Sequence, residues 1–150
     1  MTINLDKLAA DFSCKILESK DNSKSSEYYE KLETMSTKVL SILQEQGIYA
    51  CILYLLAKSK KKEEKDKEES LIAKKIAINL LNMLNSDELK MAECSLEEKN
   101  LDKKFIEEEK EKILKHIREK IIIDIRKIFM IRSIYEKTLI YVRYGAKALS

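Results

Sequence analysis

The chain has 150 residues with 29 Lys and Arg against 26 Asp and Glu, a net charge of +3. Charged residues make up 37%, while there are only two glycines, no proline and no tryptophan. Two glycines as far apart as Gly47 and Gly145 cannot build a phosphate-cradling loop, and turn-rich sheet folds and disulfide frameworks lack their raw material, which leaves an all-α domain spanning 1–150, a bundle of about five to six helices.

The first helical pattern is Leu5, Leu8, Ala9, Phe12 and Ile16, with Asn4 as its N-cap and Asp21-Asn22-Ser23 as its stop. The second runs from about Ser26 to Gln46, with Tyr28, Leu32, Met35, Val39 and Ile42 facing inward. Glu27 and Glu30 suit its positive N-terminal end, and Gly47 suits a left-handed residue after it. Ile48 to about Lys58 is apolar nearly all round, the pattern of a buried, central helix. The wholly polar stretch 59–69 is a solvated loop or the exposed extension of its flanking helices.

A fourth helix is expected from about Ser70 to Asn85, with Leu71, Ile72, Ile76, Leu80 and Leu84 inward. Ser95-Leu96-Glu97-Glu98 matches a capping box that opens a long helix to about Met130, with Ile106, Ile113, Ile117, Ile121, Ile125 and Ile128 on one side. Ser133-Ile134-Tyr135-Glu136 matches a second capping box opening the last helix, which carries Leu139, Val142 and Ala146.

Catalytic chemistry finds little to work with. The single histidine, His116, has Lys112 and Lys120 as its helical neighbours, which puts it on the polar surface. Ile113 stands where a Glu-x-x-His motif needs its carboxylate. The glutamates 107–109 are interleaved with lysines and read as exposed ion pairs. Cys51 reads as a small core residue and Cys94 as an exposed, unactivated thiol. No C-x-x-C pair exists, so no metal or cofactor is expected, and the chain reads as a non-enzyme. An odd cysteine count without a framework points to a reducing cytoplasm. The longest apolar run is about half what a bilayer requires, and the first residues lack a signal peptide's pattern. Lys, Glu and Ile enrichment suits a thermophile or an AT-rich genome.

Charge is uneven along the chain. From Arg126 to Leu149 there are six basic residues and one acid, Glu136. All four arginines lie from position 118 onward, and arginine is the better phosphate fork. Tyr135, Tyr141 and Tyr144 alternate with Lys137, Arg143 and Lys147, either as stacking groups for a nucleic-acid strand or as core and boundary residues of an amphipathic helix.

Two stretches carry a family resemblance. Tyr29-x-x-Leu32, Val39 and then Gln46-Gly47-Ile48-Tyr49-Ala50-Cys51-Ile52-Leu53-Tyr54-Leu55-Leu56-Ala57-Lys58 form one. The other is Glu136-Lys137-Thr138-Leu139-Ile140-Tyr141-Val142-Arg143-Tyr144-Gly145-Ala146-Lys147-Ala148-Leu149. Together they resemble the small α-helical subunit of the type III-B CRISPR effector, the Cmr complex. Tyr141 stands where that family has tryptophan, Gly145 where it has a bulky residue, and 58–69 and 96–130 look extended. The resemblance implies a non-catalytic subunit of an RNA-guided antiviral effector. Copies would stack along the filament of RAMP-type subunits and contact guide and target RNA through a basic face, with no membrane or small-molecule substrate. It places Arg143, Lys147 and Lys58 at the RNA. Charge alone adds Arg126, Arg132 and Lys38. A helical adaptor that binds only protein is the alternative.

Overall fold

The computed structural model describes residues 4–18, 26–60, 67–96 and 101–150. Among these the chain is all-α, with eight α-helices, one π-helical turn and no strand. That is more than the five to six helices expected, because the long pattern from 96 to 130 is broken.

Helix α1 (Leu5–Leu17) starts where expected: the Asn4 side chain accepts the Lys7 N–H at 3.0 Å. It buries Leu8, Ala9, Phe12 and Ile16. The expected stop at 21–23 lies outside the described residues. Helix α2 (Ser26–Gln46) buries Tyr28, Leu32, Met35 and Val39 as the spacing predicts. Leu43 takes the inward place expected for Ile42, which is only half-buried.

Gly47 separates α2 from α3 (Ile48–Lys58) at φ 94° and ψ −174°. It receives the end of one helix, donating its N–H to the Leu43 carbonyl at 3.0 Å. It also opens the next, accepting from the Cys51 N–H at 3.1 Å. The positive φ was legible; the extended ψ makes this a conformation nearly confined to glycine rather than the ordinary left-handed cap. Helix α3 buries Ile48, Cys51, Ile52, Leu55 and Leu56 but leaves Leu53 exposed, so it is not buried all round.

Beyond α3, the Ser59 carbonyl accepts from the Ser70 hydroxyl at 2.7 Å, which ties α3 to α4 (Lys67–Leu84). Helix α4 starts three residues before the expected Ser70. It buries Ile72, Ile76, Leu80 and Leu84, whereas Leu71 points outward and Ala73, Ala77 and Leu81 fill the inner face instead. The short α5 (Asp87–Met91) is capped by Ser86. It ends on Glu93 at φ 61°, with the Glu93 N–H on the Lys90 carbonyl at 3.0 Å and the Cys94 N–H on the Leu89 carbonyl at 2.9 Å. This is a Schellman end with a glutamate where glycine is usual.

The capping box at 95–98 runs into residues outside the described set. Its segment is pinned by Asn85, whose side-chain oxygen accepts from the Ser95 hydroxyl at 2.9 Å and the Leu96 N–H at 2.8 Å. The expected single helix to Met130 is instead α6 (Lys103–Glu108), α7 (Lys110–His116) and a π-helical turn (Ile117–Ile121). Asp102 caps α6 through the Phe105 N–H at 2.9 Å. Four-residue steps drift by about 40° in an α-helix, and the wider π turn reduces that drift. Ile113, Ile117 and Ile121 can therefore all stay buried.

The last helix, α8 (Ile125–Leu149), opens at Asp124 rather than Ser133. The Asp124 carboxylate accepts the Arg126 and Lys127 N–H groups at 2.9 and 3.4 Å. Ser133 is mid-helix, and Ile125 is exposed rather than part of the inner stripe. Helix α8 is the main packing element, lying against α2 and α1. Its Tyr135 hydroxyl donates to the Leu80 carbonyl at 2.7 Å in α4, fully buried.

Candidate nucleic-acid interface

Helix α8 presents one side to α1, α2 and α4 and the other to solvent. Leu139, Val142 and Ala146 are buried as expected. With 3.6 residues per turn, positions 11 or 18 apart return to the same angular position. Arg126, Lys137 and Tyr144 therefore share one exposed line, and Phe129 and Lys147 share a second line beside it. At 1.5 Å per residue this stripe runs ~32 Å from Arg126 to Lys147. Phe129 is 65% and Tyr144 63% exposed, so two rings stand among three cations. Lys137 keeps its ammonium 3.6 Å from the Asp6 carboxylate of α1.

Glu136 is the one acid in α8, and it is neutralised locally: the Arg132 Nε donates to its carboxylate at 3.1 Å. The same guanidinium donates to the Gln44 carbonyl at 2.7 Å. Arg132 thus braces α8 against the end of α2. Arg143 flanks the stripe, with its guanidinium carbon 6.0 Å from the Tyr144 ring centre.

The six residues expected at RNA do not form one cluster. Arg126, Arg143 and Lys147 lie exposed along α8. Lys58 is 3.5 Å from Glu69 and 5.8 Å above the Tyr54 ring. Lys38 lines the adjacent groove between α2, α3 and α4. Glu27, Glu30 and Glu69 line the same groove with Lys31, so its field is not one that gathers phosphates.

Of the three interleaved tyrosines, only Tyr144 is an exposed stacking surface. Tyr135 is core, and burial raises its phenol well above the usual range. Tyr141 is half-buried and donates to Asp6; that hydrogen bond holds the Asp6 carboxyl below its ordinary value. The sequence reading missed Lys137 and Phe129 as site candidates. Their signal was the 11- and 18-residue spacing, hidden by placing the start of the helix at Ser133.

Burial pushes the Cys51 thiol up to about 12. Cys94 was expected to be exposed but is fully buried, and desolvation raises it too. His116 is half-buried rather than on the surface, its Nε2 3.0 Å from the Cys94 carbonyl. Among the described residues no three His, Cys, Asp or Glu side chains are grouped to hold a metal ion. No described helix is long and apolar enough to cross a membrane.

Compared with protein-family models, with curated proteins and with solved structures, the chain matches none.

Proposed function

We propose that the chain is a non-catalytic subunit of an RNA-guided effector of the type III-B kind, and that the outer stripe of α8 lies along the guide–target RNA. The observation that carries the reading is that stripe: Arg126, Lys137 and Lys147 with Phe129 and Tyr144, on a helix whose one acid is held by Arg132. Cations along one helix face attract a phosphate backbone, and exposed rings give bases a stacking surface. Sequence would be read by base pairing, with this chain contacting shape and phosphates. Arg143 and Lys147 remain the first residues to test; Lys58, paired with Glu69, and Lys38, in an acid-lined groove, rank below them.

The experiment is purification of the tagged protein from its native cells, with mass spectrometry and RNA sequencing. The reading expects RAMP-type subunits, further copies of the chain, and short guide RNAs. Recovery of unrelated proteins without RNA would overturn it.

One observation favours the second reading, a helical adaptor that binds protein alone. Ile123, Ile125 and Phe129 are 76%, 65% and 65% exposed at the start of α8, a concentration that marks contact surfaces. An adaptor would show no RNA affinity at any salt concentration.

A further inference from the structure

A recess of about 650 Å³ opens at the junction of α5, the 92–96 segment, the π turn and the start of α8. Its described lining is Lys90, Glu93, Ser95, Leu96, His116, Lys120 and Lys127. It faces away from Arg143 and Lys147: Lys127 lies roughly 160° around α8 from Arg143 by the 3.6-residue period. The outer stripe therefore does not account for it.

Three irregularities converge there. Glu93 is the one non-glycine residue with positive φ among the described residues. Lys120 belongs to the π-helical turn, an element that recurs at functional sites. Lys127 donates its ammonium to the Lys120 carbonyl at 3.2 Å, which fixes one cation in the wall and leaves its other N–H donors available. Backbone strain persists where the surroundings hold it, and it concentrates at binding sites. The chemistry of the wall is one-sided as well. Among the described lining residues three ammonium groups face the Glu93 carboxylate, and Lys90 and Lys120 make no ion pair among the described residues. Ammonium groups that outnumber their counter-charges repel one another, and a polyanion in their midst relieves that repulsion.

We propose that this recess binds a phosphate group, held by Lys90, Lys120 and Lys127, with Glu93 limiting its affinity. The volume suits a nucleotide-sized ligand. The shared chemistry is the phosphate, supplied by a free nucleotide or by the 5′ end of an RNA. The site does not depend on the α8 stripe and stands whether or not that stripe touches RNA.

The test is calorimetric titration at low ionic strength with inorganic pyrophosphate, ADP and adenosine. Pyrophosphate and ADP are expected to bind and adenosine to give no heat. Changing Lys90, Lys120 and Lys127 together to Gln should weaken pyrophosphate binding about tenfold or more, given the Coulomb energy of close charge pairs. Glu93→Gln should tighten it about threefold, a gain that misfolding cannot mimic. Arg143→Gln should leave pyrophosphate unchanged while weakening RNA, which separates this proposal from the function above. Competition by 5′-phosphorylated but not 5′-hydroxyl RNA would assign the phosphate to a strand end; ADP binding without RNA competition would assign it to a nucleotide. Absence of pyrophosphate binding, or affinity indifferent to the triple lysine variant and to Glu93→Gln, would overturn the site.

Discussion

Replacing Gly47 by alanine perturbs the backbone and little else. A Cβ added there meets no atom within 4 Å, so no steric repacking is involved. The residue sits at φ 94° and ψ −174°, joining two helices through its own N–H and carbonyl. Holding a side-chain-bearing residue in such a region costs roughly 1–3 kcal/mol. Alanine also restricts the unfolded chain, which returns about 0.4–1 kcal/mol. The net loss is about 1–2 kcal/mol, or ~2–8 °C in melting temperature for a chain of this size. Thermal and denaturant unfolding of Gly47→Ala and Gly47→Asn would measure it. Asparagine tolerates the ordinary left-handed region but not this extended ψ, so both variants should lose about equally. Neutral behaviour of alanine, or selective rescue by asparagine, would refute the reasoning. Gly145 is the contrast, since a Cβ there runs into the Leu17 side chain. Loss at Gly145→Ala should be relieved by Leu17→Ala; loss at Gly47→Ala should not.

Three further outcomes are expected. Glu93→Gly should stabilise the protein by about 0.5–1 kcal/mol, because glycine removes the left-handed penalty at the end of α5 and returns only part of it as chain entropy; a melt that falls instead would contradict the cap. Tyr135→Phe should cost about 1 kcal/mol through the lost hydrogen bond to Leu80, read from chemical denaturation with an unchanged m-value. The Glu107 carboxyl is held below its ordinary 4.5, first by the hydrogen bond from Lys74 and then by that ammonium's charge. A depressed folded value means the contribution is present above pH ~4.5 and is lost as pH falls through the folded value. Melting temperature should therefore decline below that pH, and Glu107→Gln should flatten this part of the profile.

Much of the fold was legible where local chemistry and burial agreed. Asn4 has the short side chain of an N-cap and caps. Gly47 is the one residue that can take the angle between α2 and α3. Leu32, Val39, Ile52, Ile76 and Leu139 recur at helical spacing and are buried. The reading failed where two signals competed. Ser133 and Glu136 have capping-box spacing, yet Asp124, sitting among isoleucines, starts the helix nine residues earlier because its carboxylate reaches two backbone N–H groups. Neither proline nor glycine marks the break at Glu109, whose φ of −116° and ψ of 36° end α6. Beside it, Lys74 of α4 reaches the carboxylate of Glu107. Spacing also counts apolar residues without knowing how wide the neighbouring surface is, so Leu53, Leu71 and Ile125 were placed inside and are outside. At the candidate site the cations were legible from charge. What surrounds them was not: Arg132 brings a Glu136 pair and a carbonyl, Lys58 meets Glu69 from α4, and Lys38 shares a groove with Glu27, Glu30 and Glu69.

The central claim is that the outer stripe of α8 contacts RNA phosphates. Affinity for a single-stranded RNA of about 16 nucleotides, measured across a salt series for the unaltered protein and for a variant with Arg126, Lys137 and Lys147 all changed to Gln, tests it most directly. The account predicts binding that weakens linearly in log salt, with the variant's slope shallower by about 0.7 for each phosphate contact removed, near 2 in all. No binding at low salt, or the same slope in both proteins, would contradict it.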